Sequence, residues 1–330
     1  MSHSQLKMSS SCSKSSLHLS IPYNYLIQIM FGVTILGNNS ALPTYGRHPT
    51  AQVVTLKDQL LLIDCGEGTQ LQLSRYKVRI GKINYIFISH LHGDHYFGLI
   101  GLLTSFGLLN RKSELTIICP PELPAIIQIQ LDAARINLSY PIQYIVMTES
   151  GTVVETNHFR MDCFAVSHRI SCWGCWIEEK KLLRKINKEQ VLAYRIPSSY
   201  YPKLQMGADY HSSDGKKIKN EELTLPGSPP RSYAFSSDTL YMPELATRLK
   251  GVSLLYHEST YLQDLPERAK ERYHSTTVQA ASIAAAAGAK HLIIGHFSSK
   301  YEDISAFESE AKSVFPSTSL ALEGVTYLVK

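Results

Sequence analysis

Several features are scarce in this 330-residue sequence, and each scarcity closes off a class of protein. No uninterrupted apolar run approaches the ~20 residues that a membrane-crossing helix needs, so no membrane association is expected. Cysteine is sparse and scattered, six residues without framework spacing, which suits a reducing cytosol and a cytoplasmic location. Charge is moderate. At 18% charged residues and a net +5, it permits nucleic-acid binding without arguing for it. The first 29 positions contain no Asp, Glu or Arg and are rich in Ser. Within them 21–29 is apolar but short, and no small-residue cleavage site follows clearly, so a secretory signal finds little support. Met30 stands directly before the first convincing strand. Residues 1–29 therefore read as a disordered extension, with Met30 as the natural start. The 44% hydrophobic content lets residues 30–330 fold around a sizeable core.

What is present is concentrated in one stretch, Ser89-His90-Leu91-His92-Gly93-Asp94-His95. Four potential metal ligands fall within six positions, delivered by an apolar β-type run at 84–88. Such a strand ends at the edge where open α/β sheets keep their ligands. His90 and His92 lie two apart, so both imidazoles point to one side of an extended segment and can share a cation. Asp94 and His95 continue round the turn and can serve a second. Mixed imidazole and carboxylate ligation fits Zn²⁺ or Mn²⁺. The bland alternative is a His-rich solvated loop. A strand before the cluster and a helix after it argue against that.

Around this stretch strands and helices alternate with no fixed-period repeat. Strands are expected at 31–37, 51–56, 59–63, 115–119, 142–147, 152–155 and 159–166, and helices near 70–75, at 96–103 as one element, and at 121–136. Later strands are expected at 232–237, 252–256 and 291–294. A helix is expected near 243–249, and an Ala-rich helix at 278–287 capped by Ser275 or Thr276 serves as a small-residue packing face. A helix at 304–315 and one terminal strand at 319–329 close the chain.

Further candidates are weaker alone. Asp64, at a strand end, either orients a ligand histidine from behind or caps a turn. His168 follows an apolar strand, and taken alone it reads as an ordinary surface or core histidine. Cys172-Trp173-Gly174-Cys175 is a lone CxxC without a second pair, so structural cysteines are expected. Between 180 and 203, Lys180, Lys181, Arg184, Lys185, Lys188, Arg195 and Lys203 face only Glu189, with Tyr194, Tyr200 and Tyr201 interleaved. Cations beside aromatics suit RNA contact. A solvated amphipathic helix remains open. Glu258 and His274, taken alone, read as a buried structural hydrogen bond.

His90-x-His92-x-Asp94-His95, with His168, Asp238 and His296 each at a strand end, resembles the metallo-β-lactamase superfamily over nearly all of 31–330. The resemblance implies an α/β fold, a four-layer αβ/βα sandwich of two mixed sheets with two metals at one edge. By that resemblance His90, His92 and His168 bind one metal, Asp94, His95 and His296 bind the other, and Asp238 bridges them. His257-Glu258-Ser259-Thr260 and His274-Ser275-Thr276 resemble two motifs of the ribonuclease Z family and stand in the expected order. That resemblance implies a zinc-dependent endoribonuclease removing the 3′ trailer from precursor tRNA by two-metal phosphodiester hydrolysis. It implies two Zn²⁺ per subunit, or Mn²⁺ or another divalent ion, with Asp94 as general base, His274 as proton donor and Glu258 orienting His274. It also implies a homodimer in which one subunit's arm, inserted at about 178–210, grips tRNA bound at the other's site. Arg47, Lys180, Lys181, Arg184, Lys185, Tyr200, Tyr201 and Lys300 are the expected substrate-binding residues.

The sequence departs from the family at three places. Pro43-Thr44-Tyr45-Gly46-Arg47-His48 keeps a family loop's Pro and Arg but has Tyr45 and His48 where Lys and Asn are usual. Lys300 stands where Arg is common. The arm offers Ile196-Pro197-Ser198-Ser199-Tyr200-Tyr201-Pro202 in place of a Gly-Pro pattern. These changes touch the grip on substrate and leave the chemistry intact. The alternative function is a metal-dependent hydrolase of small phosphodiesters, thioesters or lactams, for which the basic Tyr-bearing segment would have no purpose. A non-catalytic RNA-binding relative would be expected to lose ligands, and all seven positions are filled here.

Overall fold

The computed structural model describes residues 31–330 apart from 181, 182, 213 and 228. The extension at 1–29, Met30 as the start, and Lys181 lie outside the described residues.

β1 (Phe31–Gly37), β2 (Ala51–Leu56) and β3 (Gln59–Ile63) form an antiparallel meander. α1 (Thr69–Arg75), β4 (Ile83–Phe87), α2 (Gly93–Tyr96), α3 (Leu99–Leu108), β5 (Leu115–Cys119), α4 (Leu123–Ala133) and β6 (Ile142–Val146) follow. Their helical crossovers make β3 to β6 parallel. β7 (Gly151–Glu155), β8 (Phe159–Val166) and β9 (Cys172–Glu179) open a second sheet as another antiparallel meander. An insertion comes next, built from β10 (Lys185–Ile186), α5 (Lys188–Ala193), α6 (Tyr201–Gln205), β11 (Tyr210–His211), β12 (Lys217–Ile218), α7 (Asn220–Leu223) and β13 (Thr224–Leu225). The second sheet resumes with β14 (Ser232–Phe235), α8 (Leu245–Arg248), β15 (Leu254–Glu258), α9 (Pro266–Glu271), α10 (Thr277–Ala287), β16 (Leu292–Gly295), α11 (Ser305–Val314) and β17 (Thr318–Leu320). β18 (Thr326–Leu328) returns to the first sheet and pairs antiparallel with β1.

Two seven-stranded mixed sheets result, β18-β1-β2-β3-β4-β5-β6 and β17-β16-β15-β14-β9-β8-β7. Neighbouring residues on a strand face opposite ways. Phe87 and Tyr256 point into the core between the sheets with Tyr233 and Phe235, whereas Ile86 and Leu255 face the helices outside. Both faces of each sheet are covered, which is why these strands read as continuous apolar runs. Buried Ala280, Ala281, Ala284 and Ala287 let α10 lie close against the second sheet. Thr276 and Gln279 cap that helix reciprocally. The insertion has its own small core of Val191, Ile196, Leu204, Ile218 and Leu223.

Three sequence expectations need correction. The single helix at 96–103 is two, α2 and α3, because Gly98 packs closely on the 65–66 backbone, a Cβ on it falling 2.3 Å from the Gly66 carbonyl. Its N–H bonds the Cys65 carbonyl at 2.9 Å and leaves the helical ladder, although Phe97 and Gly98 keep helical dihedrals. The terminal strand at 319–329 is also two, because Gly324 takes a left-handed φ of 79° and a turn carries the chain from one sheet to the other. No strand was expected at 172–179, yet β9 is central there and buries Cys172 and Cys175 as structural thiols. Among the described residues no helix is long and apolar enough to cross a membrane.

Candidate metal centre and active site

The parallel strands of both sheets end at one edge, and their C-terminal loops carry most of the polar residues singled out in the sequence. Asp64 follows β3 and His90 to His95 follow β4. Asp238 follows β14, Glu258 ends β15, His296 follows β16, and His168 follows β8.

His90 Nε2 lies 3.0 Å from His92 Nδ1, and His168 Nε2 lies 3.1 Å from the same atom. Asp238 Oδ2 stands 3.7 Å from His90 Nε2 and 3.9 Å from His168 Nε2. Proton counting fixes two of these rings. His168 Nδ1 is 2.9 Å from the Tyr273 carbonyl, which can only accept, so Nδ1 carries the proton and Nε2 a lone pair. Ser89 Oγ donates to Asp64 at 3.0 Å and must therefore accept from His90 Nδ1 at 3.1 Å. His90 Nε2 is then also unprotonated. Burial keeps both neighbours uncharged, His90 well below the ordinary histidine range and His92 at about 4.

A second group adjoins the first. His95 Nε2 is 3.3 Å from Asp238 Oδ2 and 3.7 Å from Asp94 Oδ2. His296 Nε2 is 3.3 Å from Asp238 Oδ1 and 3.4 Å from Asp94 Oδ2. Asp64 Oδ2 takes the His95 Nδ1 proton at 2.8 Å. Thr260 Oγ1 donates to Glu258 at 2.7 Å and accepts from His296 Nδ1 at 3.0 Å. Both Nε2 atoms are buried and, among the described residues, without a hydrogen-bond partner. Burial disfavours a charged His95, yet Asp238, Asp94 and Asp64 outweigh it and raise its pKa well above the usual histidine value. The space demands positive charge.

Lone pairs and carboxylates aimed at one another repel, and a divalent cation relieves that repulsion. The donor set, converging to within 4.8 Å in each group, fits divalent metal.

Beside this cluster, His274 Nδ1 stands 2.9 Å from Glu258 Oε1. Glu258 is fully buried and also accepts from the backbone N–H of Thr239 and from the N–H and hydroxyl of Thr260. Burial works against its charge, but His274 holds it below the usual carboxylate range; burial likewise opposes a charged His274, and Glu258 raises it. Asp94, His274, Asp238 and His296 line a cavity of about 400 Å³. The loop before β2 closes one side, the Ala41 N–H donating to Asp94 Oδ2 at 2.8 Å.

A family model described as anti-Pycsar protein Apyc1 matches residues 31–139, less than half of the chain. Ribonuclease Z of Bacteroides fragilis is 43% identical over 297 residues, 89% of this chain and 98% of that protein. The chain belongs to the ribonuclease Z family. Ribonuclease Z of Porphyromonas gingivalis is likewise 43% identical, over 89% of this chain and 97% of its own length. The fold is that of the metallo-β-lactamases. Human tRNase Z, short form, superposes with a TM-score of 0.66 at 23% identity, covering 91% of this chain and 99% of its own. The metallo-beta-lactamase fold protein YhfI from Bacillus subtilis gives 0.64 at 18% identity, covering 90% and 98%.

The structure brings together His90, His92, Asp94, His95, His168, Asp238, His296, Glu258 and His274. Among the described residues it does not bring the expected substrate-binding residues to the cavity. Arg47 Nε donates to Asn39 at 2.8 Å and Nη1 to the Glu302 carbonyl at 2.9 Å, tying the loop before β2 to the segment after His296. Lys300 Nζ lies 5.6 Å from the Tyr301 ring centre. Lys180 pairs with Glu155 at 3.0 Å, and Arg184 donates to Thr224 at 2.6 Å. Tyr200 donates to the Asp209 carbonyl at 2.9 Å, and both it and Tyr201 pack on the insertion's own core. Lys185 is exposed on β10. Ser89 and Thr260, which fix the tautomers of His90 and His296, were missed. Their only signal was adjacency to the motifs.

Proposed function

We propose that this chain is a metal-dependent endoribonuclease that removes the 3′ trailer from precursor tRNA, leaving a 3′-hydroxyl on the tRNA and a 5′-phosphate on the trailer. The carrying observation is that a complete metal donor set and the buried Glu258–His274 pair open on one cavity in a chain 43% identical to ribonuclease Z.

His90, His92 and His168 would hold one Zn²⁺, and Asp94, His95 and His296 a second, with Asp238 between them. Asp238 supports a shared position, since Oδ1 lies 3.3 Å from His296 Nε2 while Oδ2 lies 3.3 Å from His95 Nε2, 3.7 Å from His90 Nε2 and 3.9 Å from His168 Nε2. Mn²⁺ or another divalent ion would use the same donors. Bound there, the ions would polarise the scissile phosphate and acidify the attacking water.

The chain's own groups do the rest. Burial would raise the pKa of Asp94, but His95 and His296 hold it far below the usual carboxylate range. Asp94 is therefore ionised and takes the proton of the attacking water as general base. Glu258 accepts from His274 Nδ1–H, which leaves Nε2 to face the cavity. From there His274 protonates the departing 3′-oxygen, and its raised pKa keeps that proton available near neutral pH.

Residues 30–330 form the catalytic domain in this reading, and the insertion after β9 serves as the arm that grips tRNA. Exposed Leu71 on α1 and Leu108 and Leu109 at the end of α3 support a homodimer through that face. Free buried thiols at Cys65, Cys119, Cys163, Cys172 and Cys175 support a cytoplasmic location. Cleavage of 3′-extended precursor tRNA that a chelator abolishes and zinc restores is the expected test result. Cleavage that persists in chelator contradicts the proposal.

A further inference from the structure

Among the residues lining the active-site cavity that have no part in the chemistry above are Phe97 and Arg169. Phe97 is 63% exposed despite its large apolar ring. Two glycines hold it there. A Cβ on Gly93 would lie 2.3 Å from the Phe97 ring, so the ring seats on the backbone of the segment that carries Asp94 and His95. Gly98 packs against the Gly66 carbonyl and its N–H bonds the Cys65 carbonyl at 2.9 Å, which pins the segment with Phe97 exposed while Leu99 and Leu102 enter the core. Tyr96 supports the ring from its edge, with centroids 5.0 Å apart. The ring is fixed on its protein side and open to the cavity, which is what a stacking platform requires.

Arg169 follows His168 and is the one Arg or Lys among the described residues lining this cavity. Arg47, Lys180 and Arg184 are each engaged within the chain. Arg169 is exposed and, among the described residues, in no ion pair. Its planar guanidinium suits a phosphate.

We propose that Phe97 and Arg169 together seat the nucleotide at the cleaved junction, its base stacked on Phe97 and the adjoining backbone phosphate held by Arg169. This rests on the tRNA 3′-processing reading and adds which side chains locate the bond to be cut. Both residues line the same cavity as Asp94 and His274, so a nucleotide so seated presents its phosphodiester to that pair. Every base has a π-face, so the seat finds the junction without reading its sequence.

The test uses the metal-loaded full chain and precursor tRNAs, intact or with one abasic nucleotide on either side of the junction, with kcat and KM measured separately. Phe97→Leu is expected to raise KM for intact RNA about tenfold, within the range of one lost base–aromatic stack. One of the two abasic substrates should cost the unaltered enzyme a similar factor and cost Phe97→Leu nothing further, while Phe97→Trp recovers the intact-RNA KM. Arg169→Gln should lose at least tenfold in kcat/KM, and Arg169→Lys should regain part of it. Metal content and melting temperature, expected unchanged in all four variants, separate binding from folding. An abasic penalty as large in Phe97→Leu as in the unaltered enzyme overturns the stacking seat, and Arg169→Gln within twofold of it overturns the phosphate contact. If the unaltered enzyme leaves intact precursor tRNA uncut, the functional reading fails and takes the seat with it. If it cuts and the variants cut equally well, only the seat fails.

Discussion

The Thr260 hydroxyl accepts the Nδ1 proton of His296 at 3.0 Å. Because the same hydroxyl donates to Glu258 at 2.7 Å, one threonine joins the Glu258–His274 pair to the His/Asp donor set and fixes which His296 nitrogen faces the cluster. Thr260→Val keeps the shape and removes that constraint. It is expected to weaken cation binding at the Asp94, His95 and His296 group by about 10–100-fold without unfolding the chain. Competition titration against a chromogenic chelator measures it, and an unchanged affinity would contradict the tautomer argument.

Glu258→Gln tests the proposed acid role of the Glu258–His274 pair. A neutral amide neither holds the His274 Nδ1 proton nor satisfies Thr239, Thr260 and His274 together. The expected outcome is a fall in kcat of about 10²–10⁴ with metal content retained. His274→Ala should fall on the same scale, and the double variant should be no worse than either single one, because the two residues act as a unit. Multiplying defects would show that they act separately.

Asp64→Asn probes the support behind the cluster. Asp64 accepts from the Ser89 N–H at 2.8 Å, the Ser89 hydroxyl at 3.0 Å and His95 Nδ1 at 2.8 Å, and it is fully buried. An amide NH₂ facing His95 would force the ring to its other tautomer and aim an N–H at the cation. We expect loss of bound metal and a stability loss of about 3 kcal/mol, the scale of a broken buried charged pair. Chemical denaturation with parallel metal analysis reads both. A variant that keeps its metal would remove Asp64 from the centre's design.

The insertion can be cut away. β10 and β13 pair Lys185 with Leu225 and Ile186 with Thr224, so its two ends meet at one stem, and its core is separate from those of the sheets. Replacing 185–225 by a short Gly/Ser linker should leave turnover of bis-(p-nitrophenyl) phosphate unchanged and raise KM for precursor tRNA at least tenfold. Unchanged tRNA kinetics would show that the insertion is not the arm.

Much of the candidate metal centre was legible because its candidate ligands sit at the ends of apolar strands, where a continuous apolar run stops at a polar residue. His90 to His95 could be read as two pairs from local spacing alone. His168, Asp238 and His296 could not, because only the pairing of β8, β14 and β16 within the second sheet, and the packing of that sheet on the first, bring them to the end of β4. The break after Phe97 depends on Gly98 meeting Gly66, more than thirty residues earlier, which no local pattern records. β9 was obscured because two cysteines and Gly174 dilute its β-type character. The positive segment from Lys180 to Lys203 looked like a free basic surface. Folding engages Lys180, Arg184 and Tyr200 internally, and composition cannot show such pairings.

The most direct measurement is to map the ends produced when the zinc-loaded protein meets a precursor tRNA carrying a 3′ trailer, beside an Asp94→Ala control. The expected result is a single cut after the discriminator base, with a 3′-hydroxyl on the tRNA and a 5′-phosphate on the trailer, lost in the control. A cut elsewhere, the opposite distribution of phosphate, or equal cleavage by the control would contradict it.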